Sequence, residues 1–379
     1  MKKFFFLAAA ALVALAACTK NDIDETSVKD REIRFNTVAN KATKAPITGT
    51  TYSYNCPAFG VFAYYLASGN WSTSEANSSA VSYMDDVEIS FNDTKDIWVP
   101  SASTYYWPLE GKLTFIAYSP KSAATATFSN AGVLTLTNFT VASTVADQVD
   151  LLYSAIAADK NQNEDYYQDS DNDKDSHLPA ASGHGEGDMG VNIKFKHALA
   201  QVIFKAKAAD DVYDADMSFK VNSITVNAAS TATSMTVTNP TEGQLASAIT
   251  TWTSPGTNVN FAVSSSAFPA AANTYLTKTL SDPIGDPLLM IPVTAFAGTD
   301  PTVTINYTLY RTTDNVNLGT TSKTIHFDDI DDVVTNWQAG KKYVYNLTID
   351  LQKIYFNPTI TTDWADGGSQ DVDVPDDAA

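Results

Sequence analysis

The chain has 379 residues, 44% hydrophobic and 18% charged, with 43 acidic against 24 basic side chains and a formal net charge of −19. That balance can build apolar cores and excludes a disordered chain, while the charge opposes binding to nucleic-acid phosphates and to anionic membranes unless a covalent link holds the chain there. At about 100–200 residues per domain, the length points to two domains.

The first element is a leader. Met1-Lys2-Lys3 is a short positive stretch, and Phe4 to Ala17 is an apolar run. The run is shorter than the roughly 20 residues of a membrane span and suits a signal peptide over 1–17. No later segment is long and apolar enough to span. The run ends at Leu15-Ala16-Ala17-Cys18, which resembles a bacterial lipobox, with cleavage before Cys18 and a diacylglycerol on its thiol. Residues 18–30 are then an acidic tether. Once Cys18 is lipidated only Cys56 remains, so no internal disulfide is expected.

Beyond the tether, strand follows strand. "REIRFNTV" (31–38) places Ile33, Phe35 and Thr37 on one face. "FGVFAYYL" (59–66), "VEISF" (87–91), "KLTFIAYSP" (112–120) and "VLTLTNFTV" (133–141) follow. The second half adds "VNIKFKH" (191–197), "QVIFKAK" (201–207), "FKVNSITVN" (219–227), "TVTINYTLY" (302–310) and "YVYNLTIDL" (343–351). In the last, Tyr343, Tyr345, Leu347, Ile349 and Leu351 share a face. Alternation with Thr, Val, Ile and Tyr indicates half-buried strands, and many short strands with polar turns indicate β-sandwiches. No segment shows sustained helical periodicity, though 147–158 could hold a short helix. The acidic, Gly-rich stretch 159–190 lacks the aliphatics for a core and reads as a long loop near a domain junction.

The motifs that invite a chemical reading are broken. Asp169, Asp171 and Asp173 have the spacing of a calcium loop, but Lys174 stands where Gly is needed and Ala180 where a closing Glu is needed. A looser calcium site within 164–175 stays open. "GEGDMG" (185–190) matches G-x-G-x-x-G without the strand before it and helix after it that a dinucleotide needs. "AGKKY" (339–343) is no P-loop. Among His177, His184, His197 and His326 no metal pair with helical spacing occurs; His197 reads as a core histidine. The acids Asp328, Asp329, Asp331 and Asp332 read as a solvated turn. No catalytic residue, cofactor or metal is expected, and the chain is not read as an enzyme.

An ordered set of phrases remains: "AFGVFAYY" (58–65), "YYWPLEGKLTFIAYSP" (105–120), "VDLLYSA" (149–155), "VNIKFKHALAQVIFKAK" (191–207), "WQAGKKYVYNLTIDLQKI" (337–354) and "ITTDW" (360–364). After a lipobox, this set resembles the fimbrillin family, the Mfa-like or type V pilins, over roughly 31–370. The resemblance implies an all-β chain of two tandem transthyretin-like sandwiches, here 31–186 and 187–379. It implies a surface lipoprotein of the outer membrane and pilus whose partners are other pilin subunits and host or bacterial surface ligands. It also implies that a trypsin-like protease removes the lipidated N-terminus with the first strand. A C-terminal strand from the next subunit then fills the groove.

Carried onto this chain, the strand removed is that of Ile33, Phe35 and Thr37. The cleavable loop is "ANKATKAPITGT" (39–50), with Lys41 and Lys44 as processing residues in place of the arginine of family shaft subunits. The donor is "KIYFNPTITTDW" (353–364), with Ile354, Phe356 and Ile360 at two-residue spacing; the alternative is that the same segment simply completes the C-terminal sandwich. The expected function is a structural or accessory pilus subunit used in adhesion. The alternative is a non-polymerising glycan-binding surface lipoprotein, with Trp71, Trp98, Trp252 and Trp364 as stacking platforms.

Overall fold

The computed structural model describes residues 32–38, 57–92, 97–161, 190–241, 249–263, 275–296, 301–330, 334–351 and 353–361. Nearly every element is a strand. The first half holds β1 (Phe35–Val38), β2 (Phe59–Leu66), β3 (Val81–Asn92), β4 (Ile97–Pro100), β5 (Lys112–Ser119), β6 (Thr125–Phe128), β7 (Val133–Thr140), β8 (Leu152–Ser154) and β9 (Ala157–Lys160). The second holds β10 (Val191–His197), β11 (Ala200–Ala208), a short helix α1 (Asp210–Asp214), β12 (Met217–Ala229), β13 (Thr231–Thr238), β14 (Ile249–Pro255) and β15 (Asn258–Ala262). It continues with β16 (Leu288–Met290), β17 (Thr302–Arg311), β18 (Val316–His326), β19 (Lys342–Ile349) and β20 (Ile354–Thr361). The alternation in β19 appears as burial: Tyr343, Tyr345, Leu347 and Ile349 are buried, and the residues between them are half-exposed. Leu351, expected on the same face, lies exposed past the strand end.

Eight strands form one sheet in the order β2-β3-β4-β1-β10-β8-β5-β9, and β2 also pairs with β5. The extra pairing closes β2, β3, β4, β1, β10, β8 and β5 into a ring. A closed ring leaves no edge among its members. Its interior is a separate apolar core that includes Ile33, Phe35, Phe59, Trp98, Phe115 and Ile193. On its other face β5 presents Ile116 and Tyr118, and β2 presents Phe62 and Leu66, to the larger core of the molecule. This two-sided burial is why "KLTFIAYS" reads as nearly continuous apolar sequence.

The short helix expected within 147–158 is absent. A single 3-10 turn spans Val145–Asp147, and β8 and β9 follow. Leu151, Leu152, Tyr153, Ser154 and Ala155 are all buried, so no exposed positions mark the strand period. β10 follows the expected 186/187 division, yet it pairs with β1 and β8 within the ring. The chain leaves the ring through Ala198 and Leu199, both fully buried. Beside this exit His197 Nδ1 lies 2.6 Å from Asp150 Oδ2, both side chains buried.

Past the exit, two four-stranded sheets, β16-β11-β19-β20 and β15-β12-β17-β18, share one core. Phe204 stacks on Tyr345 at 5.6 Å, and Phe327 sits edge-on to Trp337 and Tyr345 at 4.9 and 5.0 Å. A fourth sheet, β14-β13-β7-β6, takes strands from both halves. Its strands carry no charged residue. Thr125, Thr137, Ser234 and Thr253 lie in register across it on the side opposite buried Ala126, Leu136 and Met235. Gln148 adds a further stitch: Leu289 N–H donates to its Oε1 at 2.8 Å.

Burial pushes the Tyr343 phenol up to about 12, partly offset by the Gln338 N–H that donates to its oxygen. Burial also raises Tyr118, Tyr153 and Tyr345. A raised folded value means that the stabilising contribution is fully present below the unfolded value of about 10 and is lost as pH rises through the folded value. Stability is therefore expected to fall from about pH 10 upward. Denaturant midpoints measured across that range, with tyrosinate absorbance as a second probe, check this. Tyrosines titrating at ordinary values with no loss of stability would contradict it.

Candidate functional site

The site is built on β1 and its seat. A four-residue strand cannot stand alone, so its neighbours define it. β1 runs parallel to β10 in the register Phe35↔Val191, Asn36↔Asn192, Thr37↔Ile193 and Val38↔Lys194. On its other side it pairs antiparallel with β4 at Phe35↔Trp98. Just before it, Glu32 bridges Tyr106, and Ile33 N–H donates to the Tyr105 carbonyl at 2.8 Å. Val191 N–H donates to the Arg34 carbonyl at 2.8 Å.

Ile33 and Phe35 are each only 1% exposed. The Phe35 ring stands edge-on to Phe59 at 6.1 Å and to Phe115 at 5.8 Å. Phe59 in turn contacts Trp98 at 5.2 Å. Gly190 completes the seat. Its φ is +134°, and a Cβ there would lie 2.7 Å from the Arg34 carbonyl carbon and oxygen. Only glycine lets the β10 entry pass so close to β1. Sequence reading met Gly190 only as the end of a rejected G-x-G-x-x-G; its signal is its place just before a strand that carries β1.

The structure brings Ile33 and Phe35 together in the ring core, with the Thr37 backbone beside Ile193. Cys18, Lys41 and Lys44 lie outside the described residues, as does the acidic loop 164–175. At the other end of the chain, β20 pairs antiparallel with β19 along its length, from Ile349↔Ile354 to Lys342↔Thr361. It is the outermost strand of its sheet. Ile354 and Phe356 are half-buried and Ile360 is exposed, while Pro358 is buried. A cleft of about 400 Å³ opens between β20 and β18, lined by Lys323, Ile325, Asp329, Ile330, Lys353, Ile354, Tyr355 and Phe356.

Two of the four tryptophans named as stacking platforms are in the core. Trp71 and Trp98 are buried, and half-buried Trp252 lies 6.2 Å from Phe139; Trp364 lies outside the described residues. Asp328 and Asp329 sit exposed in a 3-10 turn. Among the described residues no three His, Cys, Asp or Glu side chains gather as a metal site. No described helix is long and apolar enough to cross a membrane.

The profile of the fimbrillin-like family matches residues 43–364. The chain belongs to that family. Among solved structures, this fimbrillin-like chain is similar to a fimbrial protein from Bacteroides vulgatus, with 21% identity, a TM-score of 0.55, and coverage of 88% of this chain and all of that one. At that identity the likeness speaks for the fold. The fimbrial anchor protein Mfa2 from Porphyromonas gingivalis also aligns, at 8% identity over 88% of this chain and 97% of that one, but its TM-score of 0.26 carries no argument. No curated protein sequence matches the chain.

The β1 seat gives a direct expectation. Arg34 is held by backbone hydrogen bonding, so trypsin reaches it only when β1 leaves its seat. Phe35→Ala removes about 3–5 kcal/mol of buried ring. Phe35→Ala and Gly190→Ala are both expected to speed cleavage at Arg34, on the order of a hundredfold for a loss of about 3 kcal/mol. Thr125→Ala, on the exposed hydroxyl face, leaves the rate unchanged. Mass spectrometry of timed digests reads the cut, and equal rates for all the variants would contradict the assignment.

Proposed function

We propose that this chain is a subunit of a surface pilus that assembles by protease-triggered strand exchange. The observation that carries the reading is β1: a short strand near the N-terminus that closes the ring and fills its core with two side chains. Among the described residues β1 itself pairs antiparallel at one position, Phe35 with Trp98 of β4. Burying an Ile or a Phe contributes about 1.5–3 kcal/mol each. Once cut from the chain, such a strand stays until another strand replaces it. Its departure opens backbone groups on β4 and β10 and empties two apolar pockets. An edge of that kind takes an added strand, the main chain giving affinity and alternate side chains giving register.

In this reading residues 1–17 are a signal peptide, and lipid on Cys18 holds the precursor at the outer membrane through the tether 18–30. A protease cuts at Lys41 or Lys44. We place two units in the mature chain, meeting near Ala198. Partners are other pilin subunits, the same or related, and the pilus carries adhesion to host or bacterial surfaces. A head-to-tail contact does not close on itself, so it builds a filament. Membership of the fimbrillin-like family supports this reading. Trp71 and Trp98, being buried, give the glycan-binding alternative no support.

Digestion of the purified full chain with a Lys-specific protease is expected to yield a ladder of oligomers on unheated gels. Lys41→Gln with Lys44→Gln is expected to abolish the ladder. A processed chain that stays monomeric, as judged by light scattering, would overturn the reading.

A further inference from the structure

Strand alternation divides the sheet β15-β12-β17-β18 into two faces. Ile224, Val226, Val303 and Ile305 point into the core and are buried. The other face carries rows of amides and hydroxyls. Thr304 is level with Thr225 and Thr324, Asn306 with Ser223 and Ser322, and Thr308 with Lys220 and Thr320. A soluble surface ordinarily holds about 25–35% Lys, Arg, Glu and Asp. In a chain with 43 acids and 24 bases, these rows hold Lys220 as their single charged side chain.

The side chains of this grid hold one another. The Thr304 and Thr324 hydroxyls lie 2.8 Å apart, and Asn306 Nδ2 donates to Ser223 Oγ at 2.7 Å. Asn222 Nδ2 donates to Thr308 Oγ1 at 2.8 Å, and that hydroxyl lies 2.9 Å from Thr320 Oγ1. Thr308 is buried and anchors the relay, while Asn222 and Thr320 are exposed. Amides and hydroxyls have more donor and acceptor positions than these bonds use, so the grid is fixed in place and still has capacity for a ligand.

One end of the grid has an aromatic wall. Tyr275 and Leu276 run beside β12, where Leu276 N–H donates to the Phe219 carbonyl at 2.9 Å. Tyr310 stands on β17, on the other side of β12. The two rings are edge-on with centroids 5.7 Å apart, and Lys220 Nζ sits 4.6 Å from one and 4.5 Å from the other. The Tyr275 hydroxyl donates to Asn315 Oδ1. Both rings are half-buried, so each keeps part of its apolar surface in water.

We propose that this outer face binds a neutral oligosaccharide, with Tyr275 and Tyr310 as its apolar wall and Asn222 and Thr320 as its polar floor. Sugar hydroxyls both donate and accept, as the grid does, and the C–H faces of a sugar pack on tyrosine, whose ring is apolar and whose tip is polar. Other ligand classes fit worse. The net charge of −19 repels polyanions, and the Lys220 charge is placed over two rings. An added peptide strand needs open backbone groups, whereas β12 and β17 have strands on both sides. The site gives a ligand class to the adhesion in the reading above, on which that assignment rests, and it needs no strand exchange.

The test is a printed array of neutral, sialylated, sulfated and uronic-acid oligosaccharides. It is probed with fluorescent beads bearing many copies of the purified full chain. The chain carries Lys41→Gln and Lys44→Gln, so that processing plays no part. Neutral oligosaccharides are expected to hold the beads at least tenfold better than acidic ones. Tyr310→Ala and Asn222→Ala are each expected to lower that binding about tenfold, whereas Tyr310→Phe and the distant Thr125→Ala leave it within twofold. Asn222 is exposed, so its variant keeps the test valid if Tyr310→Ala fails to fold, which thermal midpoints report. Binding to no neutral oligosaccharide, stronger binding to acidic ones, or binding that Tyr310→Ala and Asn222→Ala leave unchanged would overturn the site. None of these outcomes bears on strand exchange, which the oligomer ladder reads.

Discussion

The closure of the ring by β1 is the constraint on which the rest of the N-terminal half depends. Backbone groups in a buried sheet must be paired, and β4 and β10 find their shared neighbour only in this short strand. The same strand delivers Phe35 to the aromatic cluster with Phe59 and Phe115. Ring closure and core filling are therefore one event. The strand is short, and Gly190 leaves its backbone a close-fitting path; the strand-exchange reading builds on these two features.

Among the described residues the remainder of the molecule is joined to that ring by shared sheets and core, and β20 lies at a sheet edge. The hydroxyl-faced sheet β14-β13-β7-β6 joins strands from both halves, and Ala198 and Leu199 pass buried between them. In the second sandwich β20 sits at the periphery, paired on one side and half-buried.

Much of this was legible in the sequence. The alternation of Tyr343, Tyr345, Leu347 and Ile349 gave strand, face and burial together, because one side of β19 meets the core and the other does not. Ile33 and Phe35 were readable as the inner face of a first strand for the same reason. The 147–158 segment was not, because burial on both faces erases the period that separates strand from helix. Pairings such as β7 with β13, or β10 with β1, join residues far apart in the chain and leave no local trace. Gly190 and Trp98 matter through what passes beside them, which only the assembled ring shows.

The central claim is that β1 occupies its seat only until assembly. The most direct measurement is the N-terminus of the protein in material sheared from native cell surfaces, mapped by mass spectrometry. The account predicts oligomeric material that begins at Ala42 or Ala45 and lacks residues 31–38. Oligomers whose every chain retains lipidated Cys18 and an intact first strand would contradict it.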